Sequence, residues 1–163
     1  MFKKILVPTD GSGVGARAAA VAAELAEGSG GQVIGVHVID PFPYIGIGDA
    51  SAVGLQSYLS EARRAAGVAL DAVASACRQR RVPFAGDPLA RNLVWEGILV
   101  TARAEGCDLV LVSRTAADLA AAEERLRASR QVGGTVRALD LSASASVDAL
   151  AAEFPAIVML VNK

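Results

Sequence analysis

The sequence has 163 residues, of which 53% are hydrophobic and 20% are charged, and its formal net charge is −1. This length suits one domain, and the apolar content excludes an intrinsically disordered chain. A balanced charge gives no bulk attraction for nucleic acid, whose binding needs an excess of Lys and Arg to neutralise phosphates. We therefore expect one globular domain that binds neither DNA nor RNA.

No stretch of the sequence reaches the roughly 18 to 20 apolar residues that a membrane-spanning helix needs, so we expect no membrane association. The apolar run near the N-terminus is too short for the core of a signal peptide, which predicts a cytoplasmic protein. The two cysteines, Cys77 and Cys107, lie far apart, and the chain holds one histidine. The sequence therefore indicates neither a disulfide framework nor a metal-ligand cluster.

Short apolar runs bounded by Pro, Gly and Asp alternate with segments of helical periodicity. The first run, from Lys4 to Val7, is followed by Ser12, which can cap a helix that Gly28 ends. Strands are predicted at 4–7, 32–39, 82–90, 109–112, 136–141 and 157–161. Helices are predicted at 12–28, 55–77, 93–105, 115–130 and 146–154.

Strict alternation of strands and helices is typical of βαβ units with right-handed crossovers. The sequence therefore predicts the α/β class, as a three-layer, doubly wound parallel sheet of six strands in the order 3-2-1-4-5-6. The third strand contains Gly86 and Pro88. Proline is tolerated only at sheet edges or bulges, so this strand is expected at an edge. Ligands of such sheets bind beyond the carboxyl ends of the strands.

Three segments carry a specific pattern around the first, second and fourth strands. They read KILVPTDGS at 4–12, VHVIDP at 36–41 and EGCDLVLV at 105–112. With this pattern, residues 1–112 resemble the universal stress protein family. In ATP-binding members of that family, the Asp after strand one and a backbone group near the end of strand two hold the adenosine. The resemblance implies these roles for Asp10 and Val38.

The same family binds the triphosphate after strand four, through Gly-x2-Gly-x9-Gly-Ser/Thr, whose small residues let backbone amides approach the phosphates. Here SRTAA follows strand four at 113–117, and the later Gly133 and Gly134 lack the two earlier glycines. The phosphates would instead face Ser113 and Arg114. We therefore expect ATP or AMP to bind weakly or not at all.

A second pattern lies in the C-terminal part. It reads LVSRT at 111–115, LDLS at 139–142 and LVNK at 160–163. With it, residues 108–162 resemble part of the short-chain dehydrogenase/reductase family. This resemblance implies that Arg114 contacts the 2′-phosphate of NADP and that Asp140 lies near the adenine. That family's glycine loop is missing, and neither tyrosine is followed by Lys at the fourth position. We therefore expect no enzyme activity.

Together the resemblances predict one hybrid domain, similar to universal stress proteins over 1–112 and to dehydrogenases over 113–163. Its origin, natural or engineered, is open. They also conflict over the last strand, which the dehydrogenase pattern places beside strand one. Three functions are compatible with the sequence: an adenine-nucleotide-binding module with a degraded phosphate site and no catalysis, a structural chimera without ligand, and a vestigial NADP-binding fragment.

Several residues also have purely structural explanations. Asp10 could be a turn residue and Asp140 a helix cap. His37 is expected to pack inside its strand, and Trp95 is expected to anchor a short helix against the sheet. The final strand, 157–161, would leave an unpaired edge and an apolar face, which predicts a homodimer formed through it.

Overall fold

The computed structural model describes residues 2–40, 51–91, 93–111, 134–136, 152–153 and 156–158. Its strands, in chain order, are β1 (Lys4–Pro8), β2 (Gln32–Ile39), β3 (Phe84–Ala90), β4 (Asp108–Leu111), β5 (Gly134–Val136) and β6 (Ala156–Val158). Its helices are α1 (Gly13–Ser29), α2 (Ser51–Gln79) and α3 (Val94–Ala104). Strands and helices alternate through α3, which agrees with the predicted α/β class.

Local signals in the sequence fix the two ends of α1. Ser12 has an extended backbone, and its hydroxyl accepts a hydrogen bond from the N–H of Gly15 at 3.3 Å, as a helix N-cap does. The predicted end at Gly28 was slightly early, because the helix continues through Ser29. It ends at Gly30, whose φ of 63° is the left-handed conformation that glycine adopts without steric cost.

Every strand pair in the sheet is parallel, and the strands lie in the order β3-β2-β1-β6-β4-β5. The predicted order 3-2-1-4-5-6 was therefore wrong. Strand β6 lies between β1 and β4, with Leu6 and Leu109 both in register with Val158. Successive outward crossovers would have left β6 with one neighbour, whereas the interior position pairs its backbone on both sides.

The strands at the two edges of the sheet test the predicted positions of the third and the last strand. Strand β3, which contains Pro88, lies at one edge as predicted. The last strand does not lie at the other edge, because β6 is hydrogen-bonded to β1 and to β4. The homodimer was predicted from an exposed final strand, and β6 is instead paired on both sides. Dimerisation stays a prediction.

Helices cover both faces of the sheet around separate apolar clusters. On one face, α1 and α2 pack on side chains of β1 and β2, and the fully buried ones include Ile5, Val7 and Val33. On the other face, Leu99 and Ala102 of α3 pack on Leu6, Ile34 and Val36. The sheet is therefore apolar on both sides, as the hydrophobic composition implies.

Several predicted boundaries differ from the structure. Helix α2 starts at Ser51 instead of residue 55, and β5 starts at Gly134 instead of residue 136. Residues 137–141 lie outside the described residues. The predicted helix at 115–130 and most of the one at 146–154 lie outside the described residues. Trp95 was expected to be an anchor, but its side chain is 49% exposed at the start of α3. Its neighbours Leu93 and Val94 are similarly exposed, so these three side chains face solvent.

Both cysteines are buried in the core. Burial raises the pKa of the Cys77 thiol, so it stays neutral in the core. Within the described part of the chain, none of the helices is long and apolar enough to cross a bilayer.

Candidate functional site

At the carboxyl end of the sheet, β2 extends past the end of the neighbouring strand β1, and we call this difference in length the step. Pro8, the last residue of β1, is in register with Val36, but β2 continues to Ile39. After Pro8 the N–H of Thr9 still donates to the carbonyl of Val36 at 2.9 Å. The chain then turns away into α1, so β2 extends beyond the end of β1.

This step determines where the peptide groups of Val38 point. Backbone groups of alternate residues in a strand face the same neighbour. Val36 bonds toward β1, through Thr9, while Ile39 bonds toward β3, since its carbonyl accepts from the N–H of Arg91 at 3.0 Å. The N–H and C=O of Val38 therefore face the β1 side, at the level where β1 has already ended.

Asp10 lies in the turn beside this step. Its Oδ1 accepts a hydrogen bond from the N–H of Ser12 at 2.8 Å, which is the turn role that the sequence suggested. The residue is exposed to solvent. Since one carboxylate oxygen suffices for the turn, the carboxylate keeps capacity to accept a hydrogen bond from a ligand.

Hydrogen bonds from the Ser12 side chain and backbone, together with the charge of His37, lower the pKa of Asp10 below its ordinary value of 3.8. Asp10 is therefore a carboxylate at neutral pH. Because the pKa is lowered on folding, the small stabilisation it gives is fully present above pH 3.8 and is lost as the pH falls through the lowered value. Solvent exposure keeps this contribution small.

Two glycines, Gly11 and Gly15, allow neighbouring atoms to lie close to the turn that carries Asp10. Gly11 has a φ of 81°, a conformation that other residues rarely adopt, and it faces Ala69 of α2. A Cβ at Gly15 would lie 2.9 Å from Oγ1 of Thr9 and 3.4 Å from Oδ1 of Asp10. Helix α1 thus starts directly behind the turn because residue 15 has no side chain.

Contacts from two other elements hold the end of β2. The hydroxyl of Tyr58, on α2, donates to the carbonyl of Asp40 at 2.9 Å. The backbone of Arg91, after β3, donates to Ile39. No local sequence signal marks this role of Tyr58, since nothing in its pattern distinguishes it from other residues of an amphipathic helix.

The structure brings together two of the five predicted site residues. Asp10 and Val38 lie at the ends of adjacent strands, β1 and β2. Ser113, Arg114 and Asp140 lie outside the described residues. Among the described residues, no group of three or more His, Cys, Asp or Glu side chains could hold a metal ion.

Comparison with known families identifies the chain. The sequence profile of the Universal stress protein family matches residues 1–129. The chain belongs to this family. Among curated proteins, none matches the sequence.

Solved structures agree with this universal stress protein fold. A family protein from Burkholderia pseudomallei is 26% identical, with a TM-score of 0.55, over 85% of this chain and 97% of that one. The universal stress protein UspA from Lactobacillus plantarum is 16% identical, with a TM-score of 0.51, over 99% and 98%. The hypothetical protein MJ0577 is 18% identical, with a TM-score of 0.57, over 86% and 99%.

The family match also corrects the expected hybrid. Residues 113–129 were expected to belong to a dehydrogenase-like segment, but they fall within the universal stress protein match. Nothing in the comparisons supports a junction between two families. The family assignment therefore extends beyond the predicted limit at residue 112.

His37 of this universal stress protein has the structural role that the sequence favoured. It is half-buried on β2, and its Nδ1 is buried without a hydrogen-bond partner in the described structure. We expect His37→Leu to leave the free energy of unfolding unchanged or to raise it by up to about 1 kcal/mol, because a desolvated, unpaired nitrogen is removed. Urea denaturation followed by circular dichroism measures this free energy.

His37→Asn is the matched control for this prediction. It keeps a polar atom near the position of Nδ1, so we expect it to be less stable than His37→Leu. If His37→Leu were the less stable variant, Nδ1 would have a hydrogen-bond partner, such as a buried water, that stabilises the fold.

Proposed function

We propose that this chain is an adenine-nucleotide-binding module that holds adenosine at the step between β1 and β2 and catalyses no reaction. The observation that carries the proposal is the position of the Asp10 carboxylate beside the strand end where the peptide groups of Val38 face outward. The family resemblance assigns adenosine binding to the same two positions. The function is therefore binding, and adenosine is the part of the ligand recognised.

The chemistry of adenosine suits these groups. A carboxylate accepts hydrogen bonds, and adenosine offers donors in its ribose hydroxyls and its 6-amino group. A peptide unit presents one donor and one acceptor, and the edge of adenine likewise presents an amino donor next to ring-nitrogen acceptors. We assign the carboxylate of Asp10 and the N–H and C=O of Val38 to these contacts.

The residue types at the described strand ends support the part of the proposal that assigns no catalysis. Acid–base catalysis needs a titrating group within hydrogen-bond reach of the substrate. At the described strand ends, Asp10 is ionised by its hydrogen bonds from Ser12, and the Nδ1 of His37 is buried. We therefore assign neither residue a role in acid–base catalysis.

Replacing Asp10 tests the proposal. We expect Asp10→Ala to weaken adenosine, AMP and ATP alike by roughly 10- to 100-fold, since a hydrogen bond to a charged group contributes about 1.5 to 3 kcal/mol and 1.4 kcal/mol is tenfold. Isothermal titration calorimetry gives the three dissociation constants. The ligand-induced rise in melting temperature provides an independent measurement, because a ligand that binds only the native state stabilises it.

Two further variants separate binding from folding. Asp10→Asn keeps the size of the side chain and an oxygen that can bond Ser12, so it retains the turn while removing the charge. Glu24→Ala removes an exposed carboxylate at the other end of α1, where it pairs with Arg80 at 3.1 Å, and should bind adenosine as the wild type does. Equal affinity in wild type and both Asp10 variants would refute the proposal.

The two alternatives, a structural protein without ligand and a vestigial NADP-binding fragment, would give different titration results. A structural protein without ligand would show no rise in melting temperature with adenosine, AMP, ATP or NADP. A vestigial NADP site, to which the sequence assigned Arg114 and Asp140, would bind NADP more tightly than AMP. We expect neither result.

A further inference from the structure

Gly97 of α3 lies directly against Val38 at the end of β2. A Cβ atom placed on Gly97 would lie 2.6 Å from Cγ2 of Val38, 2.9 Å from its Cγ1 and 3.3 Å from its Cβ. The first two distances are too short for carbon atoms in contact, so any side chain at this position would force a displacement. Gly97 is buried, and the overlap therefore cannot be relieved toward solvent.

Neither partner can easily move away. Leu99 and Ala102, which follow Gly97 in α3, pack on side chains of β1 and β2 and anchor the helix to the sheet. Val38 is β-branched and so has restricted rotation about χ1, and both of its γ carbons face the glycine. A larger residue at position 97 would therefore displace the backbone of Val38 as well as its side chain.

The rest of the β2 end is held in place. Ile39 accepts from the backbone of Arg91, and the carbonyl of Asp40 accepts from Tyr58. Displacement at Val38 would therefore be a local tilt of its peptide units instead of a shift of the whole strand. These are the peptide units that face the step beside Asp10.

We infer that Gly97 is a positioning residue for the nucleotide site, which it serves by setting where the N–H and C=O of Val38 stand relative to Asp10. The inference rests on the proposed function. It assigns to α3 a role in binding that acts through the backbone position of Val38.

The experiment compares two glycine-to-alanine changes in helices. We expect Gly97→Ala to weaken adenosine binding roughly tenfold, equivalent to about 1.4 kcal/mol. Gly67→Ala, in α2, is the matched control, because a Cβ there would have no atom within 4 Å. We expect Gly67→Ala to bind adenosine as the wild type does and to be slightly more stable, since alanine favours the helix. Calorimetry gives the affinities.

A double-mutant cycle with Val38→Ala identifies the contact responsible. In the Val38→Ala background both γ carbons are gone, and the remaining Cβ–Cβ distance of 3.3 Å needs only a small adjustment. We expect Gly97→Ala to change the affinity less than about twofold in that background, because coupling between two residues in contact disappears when the contact is removed. If Gly97→Ala did not fold, recovery of the fold in the double variant would support the same contact.

Amide chemical shifts of residues 36–40, measured by NMR without ligand, separate this inference from the proposed function. If wild type bound no adenosine, the proposed function would fail. Shifts that Gly97→Ala changes and the double variant restores would still support the positioning of Val38. Unchanged shifts and affinity in Gly97→Ala, or an equal loss in both backgrounds, would overturn the inference.

Discussion

We expect Gly31→Ala to lower the free energy of unfolding by at least about 2 kcal/mol, because it forces a side chain into a tightly packed backbone crossing. A Cβ on Gly31 would lie 2.3 Å from the carbonyl oxygen of Phe2 and 3.1 Å from that of Lys3. The obstacle is backbone, which cannot rotate away as a side-chain end can. Gly31 leads from α1 into β2, so the clash lies at the start of a central strand.

The surroundings of Gly31 leave little freedom for adjustment. Its N–H donates to the carbonyl of Ala26 at 2.9 Å, and the next residue, Gln32, donates to the carbonyl of Lys3 at 2.9 Å. Phe2 is only 2% exposed within the core around α1, so its peptide cannot retreat without disturbing that packing. Relief of the clash would break at least one of these interactions.

Gly28→Ala is the matched control for Gly31→Ala. It lies in the last turns of α1, and a Cβ there would meet no atom within 4 Å. We expect it to stabilise the protein by roughly 0.5 to 1 kcal/mol, the helix-propensity difference between glycine and alanine. Urea denaturation followed by circular dichroism is the suitable measurement, since Trp95 is half-exposed and reports burial poorly. Equal stability of both variants would contradict the close approach at Gly31.

The second prediction concerns the phosphates. We expect adenosine, AMP and ATP to bind with similar, weak affinities, and ATP to bind at least about tenfold more weakly than to a family member with the complete glycine motif. Loss of two or three charge-assisted bonds of about 1.5 to 3 kcal/mol each exceeds the 1.4 kcal/mol of one decade. The sequence supplies Ser113, Arg114 and then alanines where that motif has glycine.

Calorimetric titrations of the three ligands, with Mg²⁺ and at one ionic strength, test this prediction. Arg114 is the residue that could recover part of the lost affinity, because guanidinium pairs well with phosphate. Arg114→Ala should therefore weaken ATP more than adenosine, while Arg103→Ala, an exposed arginine of α3, serves as the control. Micromolar ATP binding that is much tighter than adenosine binding would show a complete phosphate site and contradict the prediction.

The sequence alone predicted the features that depend on neighbouring residues. Strand β2 has the predicted bounds because its apolar, β-branched run ends at Asp40 and Pro41. Ser12 caps α1 as predicted, and α3 lies within the predicted range 93–105. Pro88 correctly placed β3 at an edge, since proline lacks a backbone donor. Each of these signals acts over a few residues, so its meaning does not depend on the rest of the fold.

Only the tertiary structure decided which distant segments meet. Backbone hydrogen bonds are the same for any parallel pair, so nothing local in AIV at 156–158 indicated pairing with both β1 and β4. Asp10 was identified by resemblance, but its place beside Val38 follows from β1 ending before β2. Gly97 carries no local sequence signal, because its proposed role depends on its contact with a distant strand. A Cβ on Gly97 would lie 2.6 Å from Cγ2 of Val38. Packing between elements is a property of the assembled fold, and short sequence patterns do not encode it.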